Sequence, residues 1–382
     1  MSRSKLLGTI ICISGFQAIA SAAEMRPVDL NQNAALRYYR AIAVMAEGGG
    51  VRGTDGWELV SEWGTPEADE RASEIIAGSR PLLELVHEGA RIRDCQWGLD
   101  EIDFETLLPH LQLMRHLGRL GCFRAHYRFT DGYINGGVAD TTAVLALARH
   151  VGQDPTLIGR LVSIAVQNIG IDVLATNLDR LSLRQLTDLE VELDRLESIA
   201  DLPYAQYVET ERRTVVDGML RAIAERRSEQ VKHLIADGDD ESIVRKIEDM
   251  TDSQLIEAIR QTVPLYTAAA RAVDLPIGEI LPAVDATDKE AEESGNVVAA
   301  AAFPSFGAIY RAILAGQGRF LMLRAAVAHR LQGTDGLARF KDPMTGEPFE
   351  LRELDGGIEL RSEQIRRGDK PLTLRVGLPQ AD

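Results

Sequence analysis

The chain has 382 residues, of which 58 are acidic and 42 basic, giving a net charge of −16. Such a charge repels nucleic acid and anionic lipid, and no dense basic stretch offsets it, so neither is an expected partner. Hydrophobic residues make up 45% and aromatics only 5%: enough apolar side chain for an aliphatic, alanine-rich core, but few rings for a sugar-stacking cleft.

Residues 1–22 read as a secretory signal peptide. Arg3 and Lys5 form the basic start, Leu6–Ile13 the apolar segment, and Ala20-Ser21-Ala22 the small-x-small cleavage site. Cys12 lies inside the apolar segment behind Ile10-Ile11, which argues against a lipid anchor. Cleavage would remove two basic residues and take the net charge to −18. The mature protein is then expected in the periplasm or outside the cell. No later run is expected to span a membrane, because Val297–Ile309 is interrupted by Pro304 and closed by Arg311.

Helical periodicity dominates residues 23–336, which are expected to form one mainly α, solenoid-like array of antiparallel helices. A first helix spans Asn33–Ala46 and stops at a glycine run; "GGGVRGTDG" (48–56) reads as a loop. Thr65-Pro66 starts a second helix to about Ala77, and a third runs from Pro81 to Ile92. Leu107–Arg128 carries a leucine and methionine stripe. "FTDGYINGG" (129–137) reads as a turn before a helix over Asp140–Val151. Asp154-Pro155 reads as the cap and first turn of a helix apolar nearly all round, hence buried. Ser182 caps "LRQLTDLEVELDRL". Pro203 opens the longest helix, to about Ala236, and "DGDDES" (237–242) is an acidic loop. Short helices follow over 242–250 and 252–263, and another after Pro264 to Val273. "DLPIGEILPAVDATDKEAEESGN" (274–296) reads as an exposed, partly irregular crossing. Phe306–Leu331 is the last helix.

Residues 337–382 change grammar. Phe349, Leu351, Ile358 and Leu360 alternate with polar residues around "LDGG", a hairpin signal. "PLTLRVGL" (371–378) supplies a third strand of a small β-meander.

Several of these segments, "NAALRYYRAI", "CQWGLD", "LLPHLQLMRHLGRL", "ALARHVGQDPTLIGRLVSIA" and "DPMTGEPFEL", are similar, in that order, to segments of uncharacterised secreted proteins common in planctomycete bacteria. The resemblance covers most of the chain beyond residue 22 and implies an exported, helical, bacterial protein. It carries no activity and no site residue. The chain departs from the family pattern between Arg330 and Asp342, where its lead into the DP-x-[ST]-G-x-P turn is shorter.

Candidate chemistry is sparse. Cys95 and Cys122 are the two cysteines beyond the signal segment; either a disulfide or two buried thiols fits, and neither has a CxxC partner. Trp97 is expected to be buried. His110, His116 and His126 do not share a helical face at ligand spacing, so they read as solvated or capping side chains. Asp342, Thr345 and Glu347 offer oxygen ligands for calcium, against the plainer reading of a turn that launches the hairpin. Nucleophile elbows, Walker loops and dinucleotide fingerprints are missing. No cofactor is called for. The leading expectation is an exported, non-enzymatic helical scaffold, a protein-interaction or envelope-associated module. The alternatives are an envelope-polymer hydrolase using a carboxylate pair, and a calcium-dependent binding module.

Overall fold

Helix α1 (Ala34–Ala46) begins at Asn33, whose side chain caps the Ala35 amide and also accepts from the Gln96 amide, 2.9 Å away. One asparagine therefore both starts the helix and ties it to the Trp97 loop. A computed structural model describes residues 32–380 except 48–53, 100–101, 103–105, 107, 200–201, 237–240 and 368–369. The signal segment, most of the glycine run and most of "DGDDES" lie outside the described residues.

Helices α2 (Thr54–Ser61) and α3 (Pro66–Ala90) follow. The break expected between Ala77 and Pro81 does not occur. Pro81 sits inside one continuous α3, although an interior proline costs about 3 kcal/mol. Buried Ala72 and Ile75 before it, and Leu82, Leu83, Leu85 and Val86 after it, lie on one packed stripe that offsets the cost.

Helix α4 (Pro109–Thr130) has its proline in the first turn, and α5 (Ile134–Val151) starts earlier than expected. The turn shrinks to Asp131–Tyr133, because Gly136 and Gly137 are helical. They are small for packing rather than for turning. A β-carbon on Gly137 would lie 2.8 Å from the Phe129 ring, and one on Gly136 would lie 2.3 Å from Tyr133.

Helix α6 (Leu157–Thr176) is capped by Thr156, not Asp154. It packs against α4, α5 and α16 (Phe306–Gln332) and is largely buried, as its apolar surface requires. By length and apolarity alone, α6 and the stretch Val297–Gln332 are each sufficient to cross a membrane. Here α6 is an interior helix. The second stretch is two helices, α15 (Val297–Ala302) and α16, separated at Phe303–Ser305. Close approach of these helices depends on glycine. A β-carbon on Gly118 would meet Val166 at 2.7 Å, and one on Gly121 would meet Val144 at 2.5 Å.

Helix α7 (Leu183–Glu197) starts with a full capping box between Ser182 and Gln185. The expected long helix from Pro203 is interrupted. Helix α8 (Tyr204–Arg212) passes through a π-helical segment, Arg213–Asp217, into α9 (Gly218–Ala224). The chain then stops at Arg226, which has a positive φ of 64°, before α10 (Ser228–Ile235). The Arg227 amide bonds back to the Ala222 carbonyl at 2.9 Å, closing the helix end in Schellman fashion.

Helices α11 (Glu241–Glu248), α12 (Asp252–Arg260) and α13 (Val263–Arg271) follow near their expected positions. Most of the crossing expected to be partly irregular is α14 (Ile277–Glu293), with Pro282 inside it. Ile280, Val284, Thr287 and Ala291 recur at helical spacing and are buried.

After a short α17 (Thr334–Leu337), strands β1 (Glu350–Leu354), β2 (Gly357–Arg367) and β3 (Lys370–Val376) form an antiparallel sheet in that order. Leu354 pairs with Gly357 across a two-residue turn, Asp355-Gly356, with Gly356 at φ 85°. The sheet is seated on the helices. Ile365 and Leu372 would lie 2.9 Å from a β-carbon on Gly318 of α16, and the Gly377 amide donates to the Ala175 carbonyl at 3.0 Å. The architecture is thus mainly α with a small C-terminal β-sheet, and sheet and helices share one hydrophobic core.

Candidate functional site

Two polar clusters are built into the first half of the helical body. The first surrounds Trp97, which is 5% exposed. Its indole Nε1 donates to the His150 carbonyl at 2.8 Å. Its ring stacks on Tyr38 at 5.8 Å and on His110 at 5.0 Å, and the Tyr39 ring meets it edge-on at 5.7 Å. His110 is therefore neither solvated nor a cap. Its Nε2 donates to Asp154 Oδ2 at 3.0 Å, and both groups are buried. The other oxygen of Asp154 accepts from the Thr156 amide at 2.9 Å and its hydroxyl at 2.6 Å. The Thr156 hydroxyl oxygen in turn accepts from the Gly159 amide and starts α6. Asp154 thus joins the start of α4 to the start of α6, so its chemistry is spent on structure.

Beneath Trp97, the Tyr38 hydroxyl donates to His150 Nδ1 at 2.7 Å. His150 Nε2 faces the Ile92 and Arg93 carbonyls without closing a full hydrogen bond. Burial pushes the His150 pKa down to about 4, against the partial pull of those carbonyls. The unfolded imidazole, near 6.5, takes up a proton before the folded one does. The stabilising effect of keeping His150 neutral is therefore complete above about pH 6.5 and lost as pH falls toward 4. Urea unfolding at successive pH values should show a decline of up to about 3 kcal/mol across that window. His150→Gln should flatten part of the slope; an unchanged slope would refute the assignment.

His116 and His126 stand apart from this cluster. His116 lies within 3.3 Å of Gln112 on the outer part of α4, and His126 packs beside Trp63 and Tyr127. Burial lowers the pKa of both.

Cys95 and Cys122 are both buried and free, so of the two readings the structure has the two thiols. Burial raises both thiol pKa values, which suppresses the reactive thiolate. Alkylation of the purified protein without reductant should label neither cysteine while folded, and both in denaturant. Failure to label both in denaturant would show that they had paired.

Asp342 is buried in the turn that leads into the sheet. Its Oδ1 accepts from the Met344 amide at 2.8 Å, and its Oδ2 accepts from the Ser362 hydroxyl. Thr345 Oγ1 accepts from the Glu347 amide at 3.2 Å, and Thr345 and Glu347 are exposed. The three residues share one loop, with Asp342 engaged in fastening it to β2. Among the described residues, no group of three or more metal-ligating side chains converges.

The second cluster was not foreseen from the sequence. It centres on Asp140 of α5, which is 1% exposed. Asp140 accepts from Arg124 Nε at 2.9 Å and Nη2 at 2.5 Å, from Arg128 Nη1 at 2.8 Å, and from His87 Nε2 at 2.7 Å. The ionised carboxylate can only accept, so His87 Nε2 carries the proton that it donates. Burial alone would raise the Asp140 pKa. The hydrogen bonds from His87 and Arg124, with the charges of both arginines, outweigh it and hold the carboxyl below its usual range.

Above this carboxylate lies an open groove of about 620 Å³. Ile76, Ala77, Arg80, Glu84, His87 and Glu88 line it from α3, Arg91 from the cap at the end of that helix, and Arg124 and Arg128 from α4. Glu88 is held by Arg37 at 3.3 Å and Glu84 by Arg80 at 2.8 Å. Counting these direct partners, five guanidinium groups face three carboxylates. The groove is thus positive within a strongly acidic protein. The traceable signals in the sequence are the i,i+4 pair Arg124/Arg128 and Asp140 as the one acidic residue of α5. Nothing in the sequence joins them to His87 on a separate helix. No family model, curated protein or solved structure matches this chain.

Proposed function

We propose that this chain is an exported, non-enzymatic helical scaffold that acts by binding, with the groove between α3 and α4 as its contact surface. The groove carries the reading, because four arginines from two helices converge there against the sign of the whole chain. Arg124 and Arg128 are pre-positioned by Asp140, so little side-chain freedom is lost when a partner arrives. Glu84 and Glu88, the carboxylates lining it, are each held by an arginine, which favours binding over acid–base work. Export rests on the signal-like residues 1–22 and on the resemblance to secreted planctomycete proteins. The expected partner is an envelope protein that presents acidic groups.

The test is a pulldown from the native envelope using the wild type and the Arg80→Gln/Arg91→Gln double variant. Both arginines are exposed, so the variant should fold normally. Envelope proteins captured by the wild type should be lost from the variant. Equal capture by the two would overturn the reading.

A further inference from the structure

We infer that the α3–α4 groove takes a small amphiphilic oxyanion: a carboxylate or phosphate head with a short apolar body. This deepens the binding reading above and rests on the same groove. Guanidinium is the side-chain group best matched to such heads, because its planar fork donates two parallel hydrogen bonds to one oxyanion.

The four arginines differ in what they can offer. Arg124 and Arg128 form the fixed floor. Arg124 gives Nε and Nη2 to Asp140, while Arg128 gives Nη1 to Asp140 and Gly136. Nη1 of Arg124 and Nη2 of Arg128 are left unused by Asp140. Arg80 and Arg91 form the exposed rim. Arg91 makes no ion pair among the described residues, and Arg80 has only its exposed neighbour Glu84. An exposed i,i+4 pair contributes about 0.3–0.5 kcal/mol, so an incoming oxyanion can displace it readily.

The groove also has an apolar end. Ile76 and Ala77 lie on the same α3 face, one turn before Arg80. A ligand whose head reaches the arginines can lay a short hydrocarbon part there. The volume falls within the range of small-molecule sites. Asp140 gives the site its order. The two arginines it holds outnumber its single negative charge and keep the opening positive.

The test is isothermal titration of the purified full-length protein with octanoate, octyl phosphate, inorganic phosphate and acetate. At least one amphiphile should bind ten-fold or more tightly than the matching head group alone. Binding should weaken ten-fold or more in Arg80→Gln/Arg91→Gln and weaken as salt rises from 50 to 300 mM. Which amphiphile binds identifies the head group. Absence of binding by both at millimolar concentration, or equal binding by the double variant, would overturn the inference. Sedimentation with phosphatidylglycerol vesicles that depends on Arg80 and Arg91 would overturn it in favour of a lipid surface. If the amphiphiles fail while the double variant still loses its envelope partners, this inference falls and the binding reading stands. If the amphiphiles bind while envelope capture is unchanged, the protein-partner reading falls and this one stands.

Discussion

Replacing Asp140 with alanine should lower stability by about 3–5 kcal/mol, the cost of leaving a buried charge without its counterion. The carboxylate is fully buried and is the shared acceptor for two guanidinium groups and one imidazole. Arg124, with a side chain 7% exposed, has little access to water in compensation. Asp140→Asn keeps the shape and one acceptor oxygen but not the charge, so it should recover only a minor part of the loss. The measurement is the urea midpoint at neutral pH, with the m-value as a check on the two-state assumption. A loss below 1 kcal/mol would show that Arg124 and Arg128 relax outward and that the groove floor is not fixed. Acid should weaken the same network. The depressed Asp140 pKa stabilises the fold above the unfolded carboxylate range, and that contribution is lost as pH falls through the folded value.

Truncating Trp97 should be comparably severe. Trp97→Ala removes a ring held between Tyr38 and His110, together with its hydrogen bond to the His150 carbonyl. Large-to-small changes of a buried aromatic cost about 3–5 kcal/mol, through lost transfer energy and the cavity left behind. Two further consequences are specific to this site. His110 loses the face against which it is stacked, and the loop carrying Cys95 loses its anchor. Cys95 in Trp97→Ala should therefore become alkylatable under native conditions while Cys122, inside α4, stays protected. Trp97→Phe should retain most of the stability and the protection. Equal labelling of both cysteines in Trp97→Ala would point to global unfolding rather than release of the loop.

These two residues also show how far the sequence can be read. Trp97 was expected to be buried, and it is. The helical class, α1, α4, α6, α7, α16 and the Asp355-Gly356 hairpin were legible because each rests on local chemistry: a cap, a periodic stripe or a two-residue turn. The misreadings share a cause. Pro81, Pro282 and the Gly136-Gly137 pair are local breakers, yet each lies within a helix because packing outweighs propensity. The error runs the other way at Arg226. A charged helix former there adopts positive φ, and the long helix ends where no glycine signals it. The groove was hidden for a different reason. It needs His87, Arg124 and Asp140 from three helices, and no spacing rule links positions on separate helices. The same holds for His110, whose partner Asp154 lies 44 residues further along the chain, beyond α5.

The fastening of the sheet to the end of α6 bears on the order in which the molecule can be completed. The Thr176 hydroxyl donates to the Leu378 carbonyl, and the Gly377 amide donates to Ala175. These contacts join positions about two hundred residues apart, whereas the residues that line the arginine groove, with Asp140 beneath them, all lie between 76 and 140. Closing so long a loop comes late, because its entropy must be met before the contacts repay it. A chain emerging from its amino end can thus shape its groove early, while the C-terminal end of α6 stays uncovered until Gly377 and Leu378 arrive. The C-terminal strand acts as a latch on a body that is already largely built.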